Sequence, residues 1–221
     1  MKEGIKVTAQ ECFDNACEHY EKAQNLIEEM GEIYSRCRVD SSFNIQRAKK
    51  QFDILLQTIL LKIACADNEI SSVESKFIDK ITDYIDILSM LELNFTSGRP
   101  ITWANLETLN PSNYDDFCDS IDKWSKEHID ALLKVLIIAD YSSKFDYLEA
   151  FTENILSIAN NLCQTDGTYS ESENNSVCDI ICDKYYYIWS KLLEKLNNNK
   201  ADTLPESNNS LKSQYQLKKN R

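Results

Sequence analysis

Apolar residues recur along this chain at steps of three and four, the spacing that places side chains on one face of an α-helix. Near the N-terminus, Thr8 and Glu11 fit a capping box, a helix-start signal. A heptad row follows, formed by Phe13, Ala16, Tyr20, Ala23, Ile27, Met30 and Tyr34. The pattern predicts a long amphipathic helix in residues 1–40. Its apolar seam is expected to pack either on its own bundle or against another chain.

The same periodicity predicts the remaining helices, which run from Ile45 to Asp67, Ser71 to Leu91, Phe117 to Ile137, Tyr147 to Cys163 and Ser170 to Leu196. With only four Gly and three Pro, the chain has few helix breakers. Two of the prolines lie in residues 94–112, which predicts a loop between two halves, with a short helix at Trp103–Leu109. We therefore expect an all-α fold of about seven helices, with a helical domain over residues 41–196.

A polar motif occurs twice, each time between two predicted helices. The stretches CADNEISSVE and QTDGTYSESE both contain Asp-x-x-x-Ser-x-x-Glu, at positions 99 residues apart. Apolar positions match at the same offset, in the pairs Ile59 and Ile158, Ile63 and Leu162, Ile78 and Val177, and Ile81 and Ile180. We call the turns Cys65–Ser71 and Cys163–Ser170 the first and second elbows. The matches indicate an internal repeat of helical hairpins.

Two interpretations of the repeated motif are open. Ser71 with Glu74, and Ser170 with Glu173, fit capping boxes and need no further role. The capping box gives the preceding Asp67 and Asp166 no role, however. Each lies where a predicted helix ends, and the helix dipole disfavours an anion there. Carboxylates are the hard oxygen ligands that Mg²⁺ and Ca²⁺ prefer. The second interpretation is therefore a divalent-cation or acidic interaction site whose candidate metal ligands are Asp67, Glu74, Asp166 and Glu173.

The charge distribution makes nucleic acid an unfavourable partner for most of the chain. The net charge is −12, although the segment 197–221 carries five basic and two acidic side chains. The rest of the chain is thus more acidic than the whole and repels phosphate backbones. We expect the Asn-, Ser- and Lys-rich segment 197–221 to be a disordered basic tail.

Cellular location and thiol chemistry can also be predicted. No apolar run approaches the roughly 20 residues of a transmembrane helix, and the N-terminus lacks the apolar core of a signal peptide. The eight cysteines include no Cys-x-x-Cys pair, which favours reduced core thiols over a disulfide framework. These features predict a cytoplasmic protein.

No catalytic constellation accompanies the acidic motifs. The two histidines, His19 and His128, occur in no Glu-x-x-His pattern, and the sequence has no glycine-rich phosphate loop or Gly-x-Ser-x-Gly. Cysteines and histidines are scattered without zinc-ligand spacing. The sequence therefore predicts neither catalytic residues nor a cofactor other than a divalent cation.

The first elbow and the helix after it resemble the signature turn of the TerB-like family of tellurite-resistance-associated helical domains. The matching residues of the first copy are Asp67, Ile70, Ser71 and Glu74, with Asn68 where the family has glycine. The second copy matches at Asp166, Gly167, Tyr169, Ser170 and Glu173. The resemblance covers roughly residues 43–196 and implies an all-helical bundle with a pseudo-repeat and an acidic, divalent-metal-binding surface.

Three functions follow as expectations. The first is a non-enzymatic TerB-like accessory protein of a bacterial stress-response or phage-defence system, which binds a divalent cation and docks onto a larger, membrane-associated complex. The second is a structural scaffold without a metal, which uses the N-terminal heptad helix for a protein partner or for self-association. The third is a metal-dependent hydrolase, since paired acids with a metal can hydrolyse.

Overall fold

The computed structural model describes residues 7–37, 44–67, 70–82, 130–167, 171–187, 189–191 and 194. Their helices are α1 (Ala9–Arg36), α2 (Ile45–Ala64), α3 (Ser72–Ile81), α4 (Asp130–Ser142), α5 (Tyr147–Leu162), α6 (Glu171–Val177) and a π-helix (Cys178–Tyr186). The described residues are 85% helical and include no strand, which confirms the all-α class.

Helix α1 begins as the sequence predicts. The Thr8 hydroxyl accepts a hydrogen bond from the Glu11 N–H, and the Glu11 carboxylate accepts one from the Thr8 N–H. Of the heptad row, five residues are buried in the core and two are partly buried against it. Because α1 packs mainly on α5 and α4 of the same chain, the seam is used within the bundle. The first of the two packing alternatives is therefore the one observed.

Helix α2 lies at the centre of the bundle. Every residue from Gln51 to Leu61 is buried, including the polar ones. A helix enclosed on all sides must satisfy its polar side chains internally. The fully buried Asp53 accepts a hydrogen bond from the Tyr20 hydroxyl at 2.7 Å. The carbonyl oxygen of the Gln51 side chain accepts the N–H groups of Ala131 and Leu132, at 2.7 and 2.8 Å, and so ties the start of α4 to α2.

The second hairpin is built by local turn chemistry and a widened final helix. Asp146 caps α5 by accepting the Glu149 N–H at 2.9 Å. After α6 the chain continues as a π-helix, where the sequence predicts one regular helix. The buried residues here are spaced by four, beyond the 3.6 of an α-helical turn, and the wider helix keeps them on the core. They are Val177, Ile181, Tyr185 and Trp189.

Several predicted features lie outside the described residues. They are the end of the third helix after Thr82, the loop 94–112 with its short helix, the start of the fourth helical pattern at Phe117, and the tail 197–221. Among the helices that the structure describes, none combines the length and the apolar character needed to cross a bilayer.

Ile27 tests the intramolecular role of the α1 seam. Its side chain is fully buried in the core, so Ile27→Ala should lower the free energy of unfolding by about 2–5 kcal/mol. Urea unfolding followed by circular dichroism measures this loss. Asn25→Ala, at an exposed position of the same helix, is the matched control and should change stability little. Equal stability of the two variants would contradict the described packing of α1.

Candidate functional site

The first elbow connects α2 to α3. The Ser71 hydroxyl accepts the Glu74 N–H at 3.2 Å, and the Ser71 N–H donates to Glu74 Oε2 at 2.8 Å. This is the predicted capping box, and it fixes where the Glu74 side chain points. Before it, Asp67 is exposed and Ile70 is buried. The elbow therefore separates its two acidic residues, with one in solvent and one in the interior.

The second elbow connects α5 to α6. The chain turns at the end of α5, where the Thr165 hydroxyl donates to the Leu162 carbonyl at 2.7 Å. Gly167 has φ of 79°, a left-handed conformation that glycine adopts without steric cost. Asp166 is exposed, whereas Glu173, in the first turn of α6, is only 3% exposed. The capping role predicted for Ser170 lies outside the described residues.

The two elbows meet through their glutamates. Glu74 and Glu173 are each 3% exposed, and Glu173 is close enough to act on the pKa of Glu74 through a side-chain hydrogen bond and through its charge. Two carboxyl groups can form this bond only when a proton lies between them. Burial, and secondarily the neighbouring Glu173, raises the pKa of Glu74 to about 8. The contact is thus a carboxyl pair that retains a proton at neutral pH.

Burial is what distinguishes Glu74 from an ordinary capping glutamate. Glu11 has the same capping geometry at the start of α1, but it is exposed. Hydrogen bonds from the Thr8 backbone and side chain lower the pKa of Glu11. The corresponding bonds from Ser71 also act to lower the pKa of Glu74, but desolvation outweighs them. The local motif is therefore the same in both places, and tertiary packing determines the proton affinity.

Residues that are equivalent under the 99-residue offset of the predicted repeat lie against each other. Phe52 and Phe151 are also 99 positions apart, both are fully buried, and their ring centroids lie 5.2 Å from each other. Glu74 and Glu173 are a second pair of positions 99 residues apart that lie against each other. The 99-residue offset relates Phe52 to Phe151 in the sequence as well, so the same comparison could have identified the phenylalanine pair.

The predicted metal ligands are only partly brought together. The structure joins Glu74 and Glu173, whereas Asp67 and Asp166 are exposed at the two elbows. Across the described ranges, no three His, Cys, Asp or Glu side chains form a group that could hold a metal ion. Two buried glutamates supply hard oxygen donors, but Ca²⁺ takes six to eight oxygens and Mg²⁺ an octahedral set. As arranged, the pair does not fit a complete divalent-cation site.

Cys163 lies beside the glutamate pair at the end of α5. It is 1% exposed, and burial together with the charges of Glu173 and Glu74 raises its pKa to about 12. A thiol held protonated is a weak nucleophile, so Cys163 does not supply a reactive thiolate. None of the described cysteines forms a disulfide, and the predicted core position applies to Cys12, Cys65 and Cys163, whereas Cys37 and Cys178 are exposed. No local sequence signal places Cys163 near the pair. The chemistry that the Glu74–Glu173 pair can perform in these surroundings is the binding and release of one proton.

Replacing Glu74 with glutamine tests the shared proton. A pKa raised from 4.5 to about 8 adds stability at low pH that is lost as the pH rises to about 8. The slope contributed by this group is at most about 1.4 kcal/mol per pH unit. Glu74→Gln keeps a donor for Glu173 and an acceptor for Ser71 but cannot titrate. Urea unfolding from about pH 5 to pH 8 should therefore show a shallower fall in the variant.

Glu11→Gln is the matched control for this experiment, because it alters an exposed capping box of the same geometry. The lowered pKa of Glu11 gives stability that is lost only as the pH falls toward that pKa, so the slope between about pH 5 and pH 8 should equal that of wild type. If Glu74→Gln also keeps the wild-type slope, the carboxyl pair does not retain its proton.

Thiol labelling tests the burial of the site. In the native protein Cys163 should resist iodoacetamide, whereas the exposed Cys37 and Cys178 should react. Peptide mapping by mass spectrometry before and after denaturation measures each cysteine separately. Labelling of native Cys163 at the rate of Cys37 would show that solvent reaches the glutamate pair.

Comparisons of the chain with family models, with curated proteins and with solved structures find no match to it.

Proposed function

We propose that this chain is a non-enzymatic accessory protein that docks onto a larger protein complex. In this proposal the contact between α3 and α6 at the Glu74–Glu173 pair changes when the pair binds or releases a proton or a divalent cation. The observation that carries the proposal is the hydrogen bond between two carboxyl groups buried at the meeting point of two repeated hairpins. Such a pair changes its charge state within the physiological pH range. Its protonation can therefore alter how the hairpins fit together.

The TerB-like resemblance supplies the proposed setting, a bacterial stress-response or phage-defence system and a complex at the membrane. Support for it comes from the repeated motif and from the contact between its two equivalent glutamates. An internal duplication whose two copies meet at this motif accounts for both. The proposed partner does not bind along the length of the α1 seam, because five of its seven residues are buried in the bundle, whereas Phe13 is only partly buried.

In the proposal, a divalent cation competes with the shared proton for the Glu74 and Glu173 carboxylates. Above pH 8 the pair loses that proton, and two buried carboxylates repel each other. A divalent cation would offset this charge. Because the four carboxylates do not form a complete site as arranged, the proposal requires the elbows to move so that Asp67 and Asp166 reach the cation. Mg²⁺ and Ca²⁺ are the candidates because their preferred ligands are oxygens.

The structural scaffold without a metal is the second candidate function. It is favoured by the same capping contacts, since the Ser71–Glu74 box gives Glu74 a role in helix initiation. It is also favoured by the absence of a three-ligand group among the described residues. The metal-dependent hydrolase has the least support, because it requires paired acids around a bound metal and the described residues form no three-ligand group.

Thermal melting with each cation separates these candidates. A ligand that binds only the native state raises the melting temperature. Millimolar Ca²⁺ or Mg²⁺ should raise it by several degrees at about pH 9, where the pair is ionised, and less at about pH 6. Glu74→Gln should abolish the rise, and Asp67→Asn combined with Asp166→Asn should reduce it.

The matched control combines Asp14→Asn with Asp79→Asn, which removes the same charge from exposed positions outside the elbows. It should keep the full cation effect. No rise for the wild type at either pH would leave the scaffold as the supported function. A rise that all variants share would show general charge screening instead of a site.

A further inference from the structure

A groove of about 280 Å³ lies beside the elbows and is distinct from the glutamate pair. Helix α1 contributes Phe13, helix α3 contributes Val73, Lys76, Phe77 and Lys80, and the second elbow contributes Thr165. Its volume is at the small end of the range of ligand pockets, which begins at roughly 300 Å³. The groove therefore suits one side chain of a bound segment better than a large cofactor.

The floor of the groove is aromatic and fixed by packing. The Phe13 and Phe77 rings meet edge to face, with centroids 5.9 Å apart and planes at 86°. Phe77 is 3% exposed, so the floor is anchored in the core. Val73 extends the apolar lining toward the first elbow. A preformed apolar floor of this kind binds an aromatic or aliphatic side chain with little reorganisation.

Two lysines give this groove a positive rim in an acidic protein. Lys76 and Lys80 are both exposed and lie one helical turn apart on α3, which places them on the same face. Lys80 Nζ lies 5.9 Å from the centre of the Phe13 ring. Within the part of the chain that the structure describes, neither ammonium group forms an ion pair. In a protein of net charge −12, a groove with an apolar floor and two lysines favours a ligand that carries negative charge.

We propose that the groove binds an acidic segment of a partner protein, with one apolar side chain on the Phe13–Phe77 floor and flanking carboxylates on Lys76 and Lys80. The inference rests on the proposed role as an interaction protein, and it names the surface and the chemistry of the partner. A peptide is favoured over nucleic acid because the acidic body repels a long polyanion. The two rings are also perpendicular and Phe77 is 3% exposed, so they do not form a platform for stacking of successive bases.

Fluorescence anisotropy with a synthetic probe tests the groove. The probe is a fluorescein-labelled, C-terminally amidated peptide, Glu-Asp-Glu-Phe-Glu-Asp-Glu, added to the full chain. We expect saturable binding that weakens with salt and that is lost for two other peptides. One replaces the acids by their amides, and the other replaces Phe with Ser.

Charge-removing variants provide the decisive comparison. The double variant Lys76→Gln and Lys80→Gln should weaken binding roughly tenfold, because two charge-assisted contacts are lost. Lys50→Gln with Lys144→Gln makes the same charge change at exposed positions outside the groove and should bind as the wild type does. No binding of the acidic peptide, or equal binding by both double variants, overturns the proposal.

Three further outcomes would assign the groove to another occupant and so overturn the proposal. Tighter binding of a labelled oligothymidine than of the peptide would indicate nucleic acid. A concentration-dependent dimer that the Lys76 and Lys80 changes abolish would indicate a second copy of the chain. Peptide binding that occurs only after deletion of residues 2–6 would indicate the N-terminal segment. The lysine variants should keep the wild-type pH dependence of unfolding. Loss of peptide binding can therefore be distinguished from failure of the proposed proton response of the Glu74–Glu173 pair.

Discussion

A pair of carboxyl groups removed from water is the constraint on which the rest of this structure depends. An unpaired ionised carboxylate in a protein interior costs several kcal/mol. Glu74 and Glu173 can therefore lie in the core only when a proton, a cation or hydrogen-bond donors offset their charge. The shared proton and the Ser71 N–H provide this for Glu74. Because the two residues lie on α3 and α6, their interaction joins the two hairpins.

Contact between equivalent residues explains why one repeated motif gives residues in two environments. Phe52 contacts Phe151 and Glu74 contacts Glu173, and all four side chains are buried. The equivalent aspartates, Asp67 and Asp166, are both exposed. A buried carboxyl group that contacts its equivalent must retain a proton or have its charge offset, whereas an exposed carboxylate remains hydrated. A capping glutamate repeated at such a contact is thus sufficient to create a proton-binding pair.

Features set by neighbours three or four residues apart could be predicted from the sequence, and features set by tertiary packing could not. The helix starts at Thr8 and Ser71 belong to the first group, because both partners of each capping box are local. Gln51 belongs to the second group, since it caps a helix that begins about 80 residues later in the chain. The motif identified Glu74 and Glu173 as candidate site residues. Their burial, and therefore the shared proton, depends on how the two hairpins pack.

Carbon-13 NMR of the glutamate side-chain carboxyl groups, recorded across a pH titration, tests the central claim most directly. The account predicts that the Glu74 resonance, assigned by its disappearance in Glu74→Gln, titrates at a pKa of about 8 in the folded protein. The exposed Glu11 should titrate below its ordinary value of 4.5 in the same experiment. A Glu74 resonance that titrates near 4.5 would show that no proton is shared, and would contradict the account.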